Sequence, residues 1–315
     1  MNNQTHAYIG VDISKRTLDI CINPINKFYK ISNAEDAIEE FVEELKQFDV
    51  KRIACEATGG YEKPLAKVLK KNGYTLWIVD PRRIKGHIVA TGCKSKSDKI
   101  DASKIAEFSS KNNPTYDSTN KTENQELLHA LNNRRMDLTG MLASEKTRLK
   151  DPSNVLSRSS IQNVMQILEN ELKAIEIQIK NLVKKDEELA AKSELLESIP
   201  GIGAISAALL LSSVPELGTI TNKQIAALLG LAPFENSSGN YVGKRKIRGG
   251  RRIPRNMLYM CALSAIKYHL PFKQFFDRLI AAGKAFKVAL VAVMRKLIVL
   301  ANVLLKKQQM CYTFN

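Results

Sequence analysis

The sequence predicts a mixed α/β unit followed by all-α segments. Over about the first 115 residues, short β-type runs alternate with amphipathic helices, whereas from about residue 122 onward the apolar spacing is helical alone. The charge also changes along the chain. Of a formal net charge of +16, +12 falls in residues 193–315, which hold 17 basic and 5 acidic side chains.

The runs "AYIGVDI" (7–13), "TLDICI" (17–22) and "KFYKIS" (27–32) are joined by tight polar connections, which predicts a three-strand meander. "AEDAIEEFVEELKQF" (34–48) predicts an amphipathic helix with its acids early, where the helix dipole favours them. A strand over 52–56, a helix over about 61–72, a strand over 75–80 and helical segments to about 111 follow. The order βββαβαβα is that of a ribonuclease-H-like fold.

Beyond residue 122, Ile161, Met165, Leu168, Leu172, Ile175, Ile179 and Leu182 are spaced alternately by four and three, a heptad seam. "DPSN" (151–154) breaks the helix before it, so a hairpin, an ordinary bundle helix or an intermolecular coiled coil would each satisfy the pattern. Self-association through this arm, as a dimer or tetramer, is the expectation preferred. "LLESIPGIGAISAALLLSSV" predicts a helix-hairpin-helix-like segment in which Gly201 and Gly203 let backbone N–H groups approach a phosphate. A cation-rich glycine loop and apolar helices complete the chain. The expected domains are 1–118 (α/β), 119–192 (helical arm) and 193–315 (mostly helical).

The basic excess favours a polyanion partner, because each neutralised phosphate releases counterions. Five dispersed cysteines with no paired spacing argue for a reduced, cytoplasmic protein without structural zinc. The N-terminus lacks a signal pattern, and the most apolar stretch, 288–305, is interrupted by Arg295 and Lys296, so no membrane span is expected.

Within this basic chain, "KSKSDKIDASK" (94–104) sets Asp98 and Asp101 among Lys94, Lys96 and Lys99. Carboxylates there would repel the phosphates that lysines attract, unless they hold cations. Asp12 in the first strand, Glu56 at the end of the fourth, and Asp98 and Asp101 at i and i+3 of one helix converge on one rim of such a sheet. An all-oxygen set suits magnesium or manganese, and two ions about 3.5 to 4 Å apart can serve phosphodiester displacement. Each residue alone has an ordinary reading: Asp98 as a cap, Asp101 as a dipole partner, Glu56 as a solvated strand end, Asp12 as a turn acceptor.

"IGVDISKRTLDI", "CEATGGYEKPLAKVL", "KSDKIDASKIAEF", "IPGIGAISAALLL" and "LGLAPFENSSGNYVGKRKI" together resemble the Piv/MooV-type recombinases and related insertion-sequence transposases. Those enzymes join a RuvC-like DEDD domain to a C-terminal transposase-20 domain. The resemblance implies magnesium-dependent DNA strand exchange, a noncoding guide RNA in the transposase branch, and a serine nucleophile immediately before a glycine, which selects Ser238. One departure concerns Ile247, which is followed by "RGGRR" where many relatives carry Ser/Thr-Lys.

The residues around Ser238 also point to phosphate chemistry. Lys244, Arg245, Lys246, Arg248, Arg251, Arg252 and Arg255 follow it, and no acid occurs between it and Asp277. These cations would hold phosphate oxygens and disperse transition-state charge. Ser237 is the nearest substitute. A covalent serine–DNA link would conserve phosphodiester energy, so no ATP is expected. The rival readings are a metal-dependent nuclease that uses water, a DNA invertase of the same family, and a non-catalytic nucleic-acid binder.

Overall fold

The computed structural model describes residues 6–92, 97–113, 122–238 and 241–308, with the backbone alone at 236–238 and 241–244. The chain divides into two compact units, Met1–Asn120 and Lys121–Asn315.

The first unit follows the predicted order: β1 (His6–Ile13), β2 (Thr17–Asn23), β3 (Lys27–Ser32), α1 (Glu35–Leu45), β4 (Asp49–Glu56), α2 (Lys63–Lys71), β5 (Leu76–Val79), α3 (Pro81–Ala90) and α4 (Asp98–Lys111). The sheet order is β3-β2-β1-β4-β5, with the meander antiparallel and β4 and β5 parallel to β1. This topology is consistent with the ribonuclease-H-like expectation.

Alternation along the strands divides the apolar residues between two faces. Ile9, Val11 and Ile20 pack with Ile38, Phe41, Leu65 and Leu69 from α1 and α2. On the other face α4 lies close to the sheet, its Ala102 and Ala106 against Cys21. Gly10 permits that approach, since a Cβ there would stand 2.2 Å from both the Ala102 carbonyl oxygen and the Ala106 nitrogen. Both ends of α4 are fixed. The Ser97 hydroxyl accepts from the Ile100 N–H, and Arg52 of β4 donates to the carbonyls of Ser109 (2.5 Å) and Asn112.

The second unit comprises α5 (Glu123–Lys150), α6 (Arg158–Lys185), α7 (Glu187–Glu197), α8 (Ala204–Ser213), α9 (Asn222–Leu228), β6 (Pro233–Ser238), β7 (Tyr241–Ile247), α10 (Arg252–Tyr268), α11 (Leu270–Ala281) and α12 (Phe286–Lys307). A capping box of Thr122 and Gln125 starts α5, and a short 3-10 turn, Pro152–Asn154, follows it. Met165, Leu168, Leu172 and Ile175 of the heptad seam then meet Leu138 and Leu142 of α5. An ion pair between Arg135 and Glu176 (2.7 Å) crosses the same interface. The seam is therefore buried inside an intrachain hairpin, and Val164, Ile167 and Ile177 are the large apolar residues of α6 that stay exposed.

At its base the hairpin shares one core with the rest of the unit, since Leu128, Ile179 and Val183 pack with Leu210, Leu258 and Leu297. The helix α12 is long and apolar enough to cross a membrane, but half of its most apolar window is buried inside the protein. It serves as a core helix, contributing Leu290, Val293, Leu297 and Ile298.

One segment differs from expectation. Residues 233–247, expected as a glycine-rich loop, pair as the antiparallel β6–β7 hairpin. The β-type run "YVGKRKI" lies two residues, Gly239 and Asn240, beyond the end of β6. That glycine-asparagine spacing is a hairpin signal that the abundance of cations obscured.

Candidate active site

The strand register collects the carboxylates of the first unit. Gly10 pairs with Ala54 and Val11 with Cys55 across the parallel β1–β4 ladder. One position further, Asp12 and Glu56 occupy neighbouring places at the same rim and on the face that α4 covers. Across the antiparallel ladder Asp12 is opposite Asp19, a buried carboxylate that was not a candidate from sequence. The first turn of α4 supplies Asp98 and Asp101. Ser97 takes the capping role, so Asp98 is the first helical residue rather than the cap.

These charges act on one another. Burial, and then the negative charges of Asp101, Asp98 and Asp19, push the Asp12 carboxyl above its usual range; a bond from the Ile13 N–H opposes them only in part. Lys30 answers some of that repulsion, with its Nζ 3.3 Å from Asp19 and 3.6 Å from Asp98. Among the described residues no three acidic, histidine or cysteine side chains close into a group that could hold a metal ion. Asp98 is turned toward Lys30, and its side chain is 65% exposed. The donor set nonetheless fits a hard divalent cation: it is all oxygen, and Asp12 carries the repulsion of neighbouring carboxylates.

Beyond Glu56 the loop is locked by Glu62, which accepts from the Thr58 hydroxyl and from the Gly60 N–H (2.9 Å). Burial alone would raise the Glu62 carboxyl, but these donors bring it below its ordinary value. Lys99 is exposed on the first turn of α4, whereas Lys94 and Lys96 lie outside the described residues.

Because α4 carries two of the four candidate carboxylates, Gly10 links packing to chemistry. Gly10→Ala should lower stability by about 1 to 3 kcal/mol through overpacking. It should also displace α4 and weaken strand cleavage. Thermal unfolding together with a cleavage assay checks both, and an unchanged melting curve would contradict the contact.

In the second unit Ser238 ends β6, paired with Tyr241, and Ser237 pairs with Val242. The sequence-nominated cations take different roles. Arg245 pairs with Glu235 on the facing strand. Arg248 stacks over the Phe234 ring at 5.0 Å. Arg255 donates to the Gly249 carbonyl. Arg251 bonds both carboxylate oxygens of Glu216 (2.6 Å each) and the Ser213 carbonyl (2.9 Å). Glu216 is only 2% exposed, so Arg251 braces the turn into α10 instead of lying open for a phosphate. Lys246 and Arg252 are exposed, and only the backbone of Lys244 is described.

The two glycines of "PGIG" also differ. A Cβ on Gly201, whose φ is +92°, would meet the Cys261 carbonyl at 2.5 Å. That glycine therefore serves close packing against α10, a second demand on the position besides the expected phosphate contact. Gly203 caps α8 and faces open space.

Comparison with known proteins finds transposase relatives for both ends of the chain. A transposase model of the DEDD, IS110 type matches residues 9–156, and the model for transposases of the IS116/IS110/IS902 family matches residues 193–277. The pilin gene-inverting protein of Moraxella bovis is 27% identical over 313 residues, covering 96% of this chain and 97% of that one. The pilin gene-inverting protein of Moraxella lacunata is likewise 27% identical, over 314 residues, with the same coverage. A 43.6 kDa protein of insertion element IS110 from Streptomyces coelicolor is 31% identical over 140 residues, covering 44% of this chain and 33% of its own.

Proposed function

Because the chain belongs to the IS116/IS110/IS902 transposase family and is a DNA transposase or recombinase, we propose that it exchanges DNA strands through a covalent Ser238–DNA intermediate and depends on divalent metal held by Asp12, Glu56, Asp98 and Asp101. What supports this reading is the strand register, which sets Asp12 and Glu56 side by side at one rim, together with the repulsion that Asp98 and Asp101 in the first turn of α4 exert on Asp12. A divalent ion bound there, Mg2+ or Mn2+, and two such ions by the chemistry of the set, would polarise the phosphate and lower the proton affinity of the attacking hydroxyl.

The Ser238 hydroxyl oxygen attacks phosphorus, a phosphoserine ester forms, one P–O ester bond to the DNA breaks, and the leaving DNA oxygen takes up a proton. One ester replaces another, so resealing by the reverse attack of a DNA hydroxyl needs no ATP. Lys246, Arg248 and Arg252 would hold the flanking phosphates, with Lys94, Lys96 and Lys99 doing so near the carboxylates and the Gly203 end of α8 a further contact. The exposed Val164 and Ile167, one turn apart, would serve self-association of the arm, now that the heptad seam is used within the hairpin. A noncoding RNA guide and a cytoplasmic setting complete the reading.

Full-length similarity to the pilin gene-inverting proteins favours inversion as a second outcome of the same chemistry. The test is to incubate the protein with DNA spanning the ends of its element, with and without divalent metal. A protein–DNA adduct that survives denaturation is expected with metal and absent with EDTA. Free cleaved ends with no adduct would instead support the water-using nuclease.

A further inference from the structure

A groove of about 1010 Å³ lies in the second unit between the base of the β6–β7 hairpin, α10 and α12. Its walls carry Lys246, Lys287 and Arg295, beside Arg245 and Arg255, which are held by Glu235 and by the Gly249 carbonyl, and among the described residues no acidic side chain lines it. Its floor is apolar, with Tyr259 and Met260 from α10 and Val288 and Val291 from α12. Met260 and Val288 are 63% and 58% exposed, unusual for large apolar side chains on adjacent helices.

Arg295 adds an independent signal. It stands one turn after Val291 and two turns after Lys287 on the same face of a mostly apolar core helix. It is half-buried, and among the described residues no carboxylate lies within ion-pair distance of it. A partly desolvated guanidinium with no anion is costly unless an anion arrives from outside.

We propose that this groove holds an unpaired nucleotide of the DNA strand, with its base on the apolar floor and its phosphates on the cationic walls. The inference deepens the proposed function and rests on it. Charge complementarity selects a polyanion, and the apolar floor selects one that also presents a flat ring. An intact duplex keeps its bases stacked and paired, so only an unstacked nucleotide can reach the floor. Strand exchange produces such nucleotides. The groove is also lined by Pro233 and Lys246, residues of the hairpin that carries Ser238, which assigns the strand as DNA.

The test compares labelled oligothymidylate with an abasic strand of equal length and charge, by fluorescence anisotropy on the full chain. The base-bearing strand should bind about tenfold more tightly. The double variant Met260→Ser, Val288→Ser, altering two exposed positions, should cut that preference to less than about twofold while leaving abasic affinity unchanged. Arg295→Leu should weaken both strands together.

Equal binding of the two strands by the unaltered protein would overturn the groove assignment. So would a preference that survives the double variant. Much tighter binding of oligouridylate than oligothymidylate would replace DNA by RNA as the occupant and sink the proposal as stated. If adduct forms but no base preference exists, only the groove fails; if no strand binds at low salt, the proposed function fails with it.

Discussion

Asp12→Asn should leave the protein folded, lower strand cleavage on the order of a thousandfold or more, and raise stability at neutral pH in the absence of divalent metal. The stability half of this prediction follows from the sign of the Asp12 shift. Its carboxyl is raised in the folded state by burial and by Asp101, Asp98 and Asp19. A carboxyl that binds its proton more tightly when folded stabilises the protein at low pH, and that contribution is lost as pH rises through the folded-state value. Above that value Asp12 is ionised among like charges, and asparagine removes the repulsion at nearly the same volume.

Metal should reverse the ranking. An ion bound at a hundred times its dissociation constant stabilises the folded state by about 2.7 kcal/mol. Added Mg2+ should therefore raise the melting temperature of the unaltered protein and leave that of Asp12→Asn nearly unmoved. Equal shifts in the two proteins would remove Asp12 from the metal site, and wild-type cleavage by the variant would remove it from the chemistry. Because melting is read without DNA, the outcome does not depend on knowing the target sequence.

Where these candidate carboxylates lie in the fold was largely legible in the sequence, for a physical reason. Strand alternation and helix periodicity are local, so they place Asp12 and Glu56 on strands and put Asp98 and Asp101 on one helical face directly. Asp19 was missed although it lies within "IGVDISKRTLDI", because its nearness to Asp12 depends on the antiparallel register that the turn between β1 and β2 sets. Lys30 was invisible for a different reason: its role depends on a third strand bringing an ammonium to Asp19 and Asp98.

The second unit was less legible. A run of cations looks uniform in sequence, yet Arg251 is tied to Glu216, thirty-five positions earlier, and Arg245 to Glu235. Only packing separates arginines that brace the scaffold from Lys246 and Arg252, which are exposed. Gly201 repeats the lesson, since a glycine kept for a phosphate and one kept for a neighbouring helix look alike until the neighbour is known. The heptad seam correctly announced a helix pair but left open which chain supplied the second helix; Leu138 and Leu142 of α5 supply it.

Ser238→Ala should abolish the denaturation-resistant protein–DNA adduct, a loss on the order of ten-thousandfold or more, while DNA binding changes by less than about threefold. The asymmetry follows from what the substitution removes. Alanine keeps the β6 backbone that pairs Ser238 with Tyr241, and it keeps every cation of the hairpin and of α10. Phosphate affinity rests on those charges, whereas bond formation to phosphorus needs the one oxygen that alanine lacks. Ser237, opposite Val242, is the internal control, and Ser237→Ala should form adduct at close to the normal rate. If the two variants exchange behaviours, the nucleophile is Ser237. A full yield of adduct from both would overturn a serine of this hairpin as the attacking group. Wild-type protein that cuts DNA with metal and never becomes attached to it would reduce the second unit to a clamp, because only the covalent route stores the energy of the broken phosphodiester for the strand that is joined next.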